Sequence, residues 1–182
     1  MDFTEPLFSF RTIILFKYPS KGFKRFKSAK EVYDQKDITI GCLKDAVILE
    51  LIHNSTLPHF QKLAAKLDAD TGLQFKIVKD GVDRVRSEAG KFAFITDSVS
   101  GSFWADQKPC DLVQIEARLP QNELAFAVAN GSPIKARLDR AITQLRENGE
   151  LVKIRQKWWA DQCSSGALHS WGILLVLPLL VL

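Results

Sequence analysis

The sequence predicts an α/β layered lobe, and three observations carry that expectation. Short runs rich in β-branched and aromatic residues alternate along the chain with stretches whose apolar residues recur at helical spacing. Proline and glycine punctuate the joins, at Pro19, Gly22, Gly90 and Gly149. Of the 182 residues, 46% are hydrophobic and 25% charged, a balance that supports a packed core in one domain or two small lobes.

Taken in order, FRTIILFKY (10–18) reads as a strand, broken by Pro19 and Gly22. The basic linker at 21–30 holds much of the +4 net charge. Charge so local marks a solvated linker, so no nucleic-acid partner is expected. SAKEVYDQ (28–35) predicts a short helix, because Ser28 with Glu31 three positions on is the capping-box arrangement. DITIGCL (37–43) is a short buried strand, and Cys42 within it packs as a free thiol. Two helical stretches follow. In the second, Phe60, Leu63, Ala64 and Leu67 share one face, and Pro58 stands near its start, where a missing N–H costs little. LQFKIVK (73–79) alternates and suggests an extended segment. DGVDRVRSEAG (80–90) predicts a helix with Asp80 as N-cap and Gly90 as its stop. KFAFIT (91–96) is a strand, GSFWADQKP (101–109) a short helix or loop, and LVQIEARL (112–119) and LAFAVA (124–129) are strands. SPIKARLDRAITQLREN (132–148) is the clearest helix. Ser132 caps it, Pro133 takes its first position, and Ile134, Leu138, Ile142 and Leu145 form its buried stripe. Beyond Gly149, ELVKIRQKWW (150–159) is amphipathic, with Trp158 and Trp159 as a packing anchor.

Open α/β sheets bind ligands in the crevice outside the carboxyl ends of their strands. Asp97 directly follows the strand at 91–96, and LKDAV (43–47) follows the strand at 37–43, so both fall at that edge. On the residues alone, Asp97 either receives a ligand or caps the turn after it. Cys110 and Cys163 stand among polar, turn-forming residues and are candidates for one bridge, which implies an oxidising compartment. The cysteines and His53, His59 and His169 show no ligand spacing, so neither a metal nor a cofactor is expected. Ser98, Ser100 and Ser102 lack a histidine base, DGVDRVR (80–86) lacks the glycines of a phosphate loop, and the chain reads as a non-enzyme. Asn54 opens an N-glycosylation pattern with Ser55 and Thr56. MDFTEPLFSF (1–10) lacks the basic start and cleavage site of a signal peptide. SWGILLVLPLLVL (170–182), behind the small residues of CSSGA (163–167), reads as a membrane-directing tail, either a glycolipid-anchor signal or the start of a spanning helix.

GKFAFITDS (90–98), KPCDLV (108–113) and GSPIKARLDRAITQLRENGELVKIRQKWW (131–159), closed by Cys163, resemble in that order the second half of the ligand-binding domain of ionotropic glutamate receptors, of AMPA/kainate or divergent invertebrate type. The likeness runs over 28–163, and 2–20 resembles the end of the family's first half. It implies a fold like the type II periplasmic binding proteins: mainly lobe 2 of a two-lobed clamshell, with lobe 1 incomplete. It implies that Asp97 meets an agonist's α-amino group, that Cys110 and Cys163 are bridged, and that the helix start at 45–48 receives the agonist's distal carboxylate. The first-lobe arginine that grips the α-carboxylate belongs to a part of the family before DFTEP, outside this sequence.

Two departures alter the expected ligand. Val47 and Ile48 stand where the family carries small hydroxyl residues, beside the acid Asp45, and Leu124 stands where many members have tyrosine. A smaller or more hydrophobic amino-acid-like ligand is therefore implied in place of glutamate. The family inserts pore segments between its half-domains, whereas here a linker of about a dozen residues joins them, too polar and short to cross a bilayer. The expected organisation is 1–22 as the end of the first half-domain with a crossover strand, 23–133 as lobe 2, 134–163 as helices returning toward lobe 1, and 164–182 as the tail. The expected function is the ligand-binding lobe of a cell-surface receptor of this kind, extracellular at the plasma membrane and partnered by receptor subunits. The alternatives are a free-standing extracellular solute-binding protein and a non-binding lobe that serves as a partner surface.

Overall fold

The computed structural model describes residues 1–18 and 26–163. Two short strands, β1 (Asp2–Phe3) and β2 (Phe8–Phe10), precede β3 (Thr12–Phe16), whose five residues are all buried. A strand covered on both faces is written as an unbroken apolar run, which is why TIILF shows no alternation. With β4 (Thr39–Leu43), β5 (Gln74–Phe75), β6 (Phe92–Asp97) and β7 (Val113–Glu116) it forms a five-stranded sheet in the order β5-β4-β6-β3-β7. β4 runs parallel to β5 and β6, while β3 is antiparallel to β6 and β7. Strand β3, from the start of the chain, is thus an interior strand of the sheet, between β6 and β7. Two ribbons lie outside it: β8 (Asn122–Leu124) pairs with β2, and β9 (Ala127–Val128) with β1.

Helices cover both faces. Helix α1 (Ala29–Tyr33) starts where the capping box places it: the Ser28 side chain accepts the Glu31 N–H, and Glu31 reaches back to the Lys27 N–H. Helices α2 (Val47–His53) and α3 (Pro58–Ala69) pack together, and α3 buries the predicted face of Phe60, Leu63, Ala64 and Leu67. Helix α4 (Val78–Ser87) sets Val82 and Val85 into the core, with Gly81 against the ring of Phe94. Helix α5 (Ser98–Ala105) leaves β6 directly. Each aromatic or aliphatic side chain that this packing removes from water, Phe60, Phe92, Phe94 and Ile95 among them, contributes roughly 1.5–3 kcal/mol.

Several local expectations are corrected. The segment 73–79 is extended only at Gln74–Phe75, because helix α4 begins at Val78 and Asp80 lies inside its first turn instead of capping it. The segment 124–129 is divided between two ribbons. Helix α6 (Lys135–Glu147) begins later than 132, since Ser132 uses its backbone carbonyl to receive the Lys135 N–H and supplies no side-chain cap. Its intended stripe is only partly covered: Ile142 is buried, but Ile134 and Leu145 are exposed. Helix α7 (Glu150–Trp158) follows Gly149, whose φ of 72° is a left-handed conformation that glycine adopts without strain, and buries no residue.

Candidate functional site

Strands β4 and β6 are adjacent and parallel, yet the chain leaves them in opposite directions. After β4 it passes through α2 and α3 to β5 on one side. After β6 it passes through α5 to β7 on the other. This divergence opens a crevice at the carboxyl ends of the two strands. Leu43 and Asp97 are those ends, and they line one cavity of about 330 Å³.

Asp97 is the acidic residue among its lining groups. Strand β6 positions it: the register sets Asp97 opposite Thr12, and Ser98 is locked to the next residue of the neighbouring chain segment, its N–H donating to the Arg11 carbonyl at 2.7 Å. The side chain does what an N-cap acid does, Oδ1 accepting the Ser100 N–H at 2.7 Å. The two readings open in the sequence are therefore compatible: one oxygen caps α5. The other, Oδ2, receives only a marginal approach from Thr96 Oγ1 at 3.5 Å. No Lys or Arg among the described residues forms an ion pair with Asp97. A half-satisfied carboxylate at the edge of an apolar cavity can accept a charge-assisted hydrogen bond from an ammonium.

The cavity brings Val47, Ile48 and Leu124 to the same place as Asp97. They contribute differently. Ile48 is 4% exposed and belongs to the core, whereas Val47, at 53%, stands in the first turn of α2 and faces outward. Leu124, at 52%, reaches the cavity from the β2–β8 ribbon, where it lies opposite Phe8. Ala46, within the predicted helix start at 45–48, also lines it, and sequence reading missed Phe10, Val99 and Ser100, which complete the wall. Ser100 carries the one usable signal, standing three residues after an acid that ends a strand, the spacing of an N-cap and its donor. The others are ordinary apolar residues, and only the folded sheet edge assembles them.

Cys110 and Cys163 are joined in a disulfide with a Cα–Cα separation of 5.5 Å, and Cys42 is free and buried. Burial pushes the Cys42 thiol up to about 12. Asn54 is exposed at the C-terminal end of α2. Among the described residues no group of three or more His, Cys, Asp or Glu could hold a metal, and no helix is long and apolar enough to cross a membrane. The tail at 164–182 and linker residues 19–25 lie outside the described residues.

An open α/β lobe with its cavity at the switch point of a mixed sheet, entered by a strand from an earlier part of the chain, is a lobe of a periplasmic-binding-protein-like ligand-binding domain. The comparisons with known proteins narrow the class. No family model matches the chain. Glutamate receptor 3 of Mus musculus is 30% identical over 145 residues, 79% of this chain, and that of Homo sapiens 31% identical over 143 residues, 77% of it. A solved structure of the Drosophila muscle GluRIIB complex with glutamate superimposes with a TM-score of 0.76 at 25% identity, covering 88% of this chain and 62% of that one. The chain is a homologue of the ionotropic glutamate receptors and carries a lobe of their ligand-binding domain. It spans 16% of the length of these two curated relatives, which are receptors and not enzymes.

Proposed function

We propose that the chain serves as lobe 2 of the ligand-binding domain in an ionotropic glutamate receptor-like receptor at the cell surface, and that its ligand is a small or apolar amino acid. The carrying observation is the Asp97 carboxylate, which lines a mainly apolar cavity with one oxygen committed to the α5 cap and with no ion pair among the described residues. The ligand's ammonium would complete Asp97, and its side chain would lie against Val47, Leu124 and Val99. Val47 and Ile48 offer no hydroxyl to a distal carboxylate, and Asp45 at the same turn repels one, so glycine, alanine or leucine fits better than glutamate. The glutamate of the Drosophila complex supports an amino-acid ligand in general. The proposed divisions remain 1–22, 23–133, 134–163 and 164–182, with the tail as the membrane-directing part and other receptor subunits as partners. The disulfide and the exposed Asn54 sequon support an extracellular position.

The test joins the chain to a complete first lobe and measures amino-acid binding by calorimetry, intact and with Asp97→Asn. Asparagine keeps a carbonyl oxygen for the Ser100 N–H, so the α5 cap survives while the charge is removed. The expected loss is about 1.5–3 kcal/mol, roughly tenfold to more than a hundredfold in dissociation constant. Equal affinity in both forms would reduce Asp97 to a helix cap. Binding of no amino acid would favour the partner-surface alternative, for which the exposed Val47 and Leu124 would be the contact.

A further inference from the structure

A second cavity, of about 320 Å³, lies at the other end of β4 from Asp97, between α1 and α3. Its floor is apolar, made by Ile38, Ile40 and Leu63, all buried. One wall is a plane of rings: Tyr33 and His59 stack with centroids 4.8 Å apart and an interplanar angle of 18°. The Tyr33 hydroxyl donates to the Ala117 carbonyl at 3.2 Å, which fixes the ring from behind. Burial lowers the pKa of His59, with Asp34 opposing and Lys30 adding to the effect, which favours the neutral imidazole as a flat face for stacking.

The rim carries the charge. Lys62 and Lys66, one turn apart on α3, both border the cavity. Like charges at this spacing repel, and neither lysine forms an ion pair among the described residues. The one acid at the rim, Asp34, is already held by Lys30. The volume is within the range of small-molecule sites, and apolar lining with a few convergent polar groups is their usual composition.

We propose that this cavity is a second ligand site, distinct from the cleft at Asp97, for a planar aromatic carboxylate: the ring extends the Tyr33–His59 stack over Ile38 and Leu63, and the carboxylate bridges Lys62 and Lys66. An anion there relieves the lysine repulsion and receives two charge-assisted hydrogen bonds. The volume suits one or two fused rings and not a long acyl chain.

The experiment titrates the full chain with 2-naphthoate, its uncharged amide 2-naphthamide, and decanoate, following the Tyr33 and His59 ring protons by NMR. Naphthoate is expected to shift these signals saturably and to bind about tenfold more tightly than naphthamide, the difference of one charge-assisted contact. Joint Lys62→Gln and Lys66→Gln substitution should abolish that preference. Both lysines are exposed, so the melting temperature should not fall. His59→Leu should weaken naphthoate while leaving both lysines in place. Equal binding of naphthoate and naphthamide, decanoate binding as tightly as naphthoate, shifts confined to residues of the Asp97 cleft, or an undiminished preference in the double lysine variant would each overturn the proposal.

Discussion

Asp111 shows how one residue governs a pH limit. Lys17 Nζ lies 3.0 Å from one of its oxygens and Arg86 Nε 3.1 Å from the other, and its side chain is only 16% exposed. Burial alone would raise its pKa, but the hydrogen bonds from Lys17 and Arg86 more than offset this and hold the carboxyl below the usual carboxylate range. A folded-state value below the unfolded one means that the stabilisation is complete above the ordinary carboxylate pKa of about 3.9 and disappears as the pH falls through the lower folded value. Asp111→Asn is expected to cost about 1–3 kcal/mol at pH 7, because Arg86 and Lys17 lose a charged partner. The variant should also lose less stability than the parent as the pH falls below about 4. Urea unfolding at pH 7 and pH 3 measures both, and a cost that is the same at the two pH values would refute the assignment. Cys42 gives a second expectation at this scale. The thiolate is the reactive form, and a buried thiol with its pKa pushed up to about 12 supplies almost none. Iodoacetamide should label Cys42 in denaturant and leave it untouched in the fold; rapid labelling of the native protein would contradict its placement.

At the scale of elements, β4 is held at a separation that only glycine permits. A Cβ on Gly41 would lie 2.7 Å from the Leu73 carbonyl oxygen and about as close to the rings of Phe92 and Phe75. A backbone oxygen cannot swing aside as a side chain can, so Gly41→Ala must shift β4 or the turn at Thr71–Leu73 that leads into β5. The expected destabilisation is about 1–3 kcal/mol by chemical denaturation, and a neutral result would mean that the β4–β5 edge yields freely. The elements that were legible in the sequence are those whose local and tertiary demands agree. Phe60, Leu63, Ala64 and Leu67 mark α3 because the face that packs is also the periodic one. KFAFIT reads as a strand because both faces of β6 are covered. Asp97 was legible as the strand-end acid, and Val47, Ile48 and Leu124 reach the same cavity. Where the signal failed, tertiary pairing decided. LAFAVA is one apolar run, yet it is divided between β2 and β1 as partners. Asp80 has the chemistry of a cap, but Val78 and Lys79 join the helix before it because Val78 packs on the core. Phe10 and Val99 carry no local mark of a site, since the crevice exists only once β4 and β6 lie side by side.

The whole molecule divides into parts of unequal solidity. The five-stranded sheet and helices α1 to α5 enclose the buried core, whereas α7 contributes no buried residue and, with α6, leaves Ile134, Leu145, Val152, Ile154 and Trp158 exposed. The end of α7 is tied to α5 and the loop that follows it by the Cys110–Cys163 disulfide, by the Trp159 Nε1–H donating to the Val99 carbonyl at 2.9 Å, and by the Gln162 N–H donating to the Asp106 carbonyl at 2.8 Å. Of these, only the disulfide survives a local opening. It constrains the unfolded chain across a sequence separation of 53 residues, and its removal is expected to cost about 2–4 kcal/mol of global stability. The local effect should be larger than the global one, because backbone hydrogen bonds in a segment with few buried contacts open at low free energy. Hydrogen exchange should therefore find β3, β4 and β6 exchanging only through global unfolding, and 150–163 exchanging faster even in the oxidised protein. Reduction, or Cys110→Ser with Cys163→Ser, should accelerate 150–163 strongly and α5, whose Val99 carbonyl loses its tryptophan partner, to a lesser degree. The order β6 slowest, α5 intermediate, α7 fastest should persist in both states. Uniform acceleration of every element by the same factor would show that the bridge acts only on the unfolded chain and that α7 is no looser than the sheet.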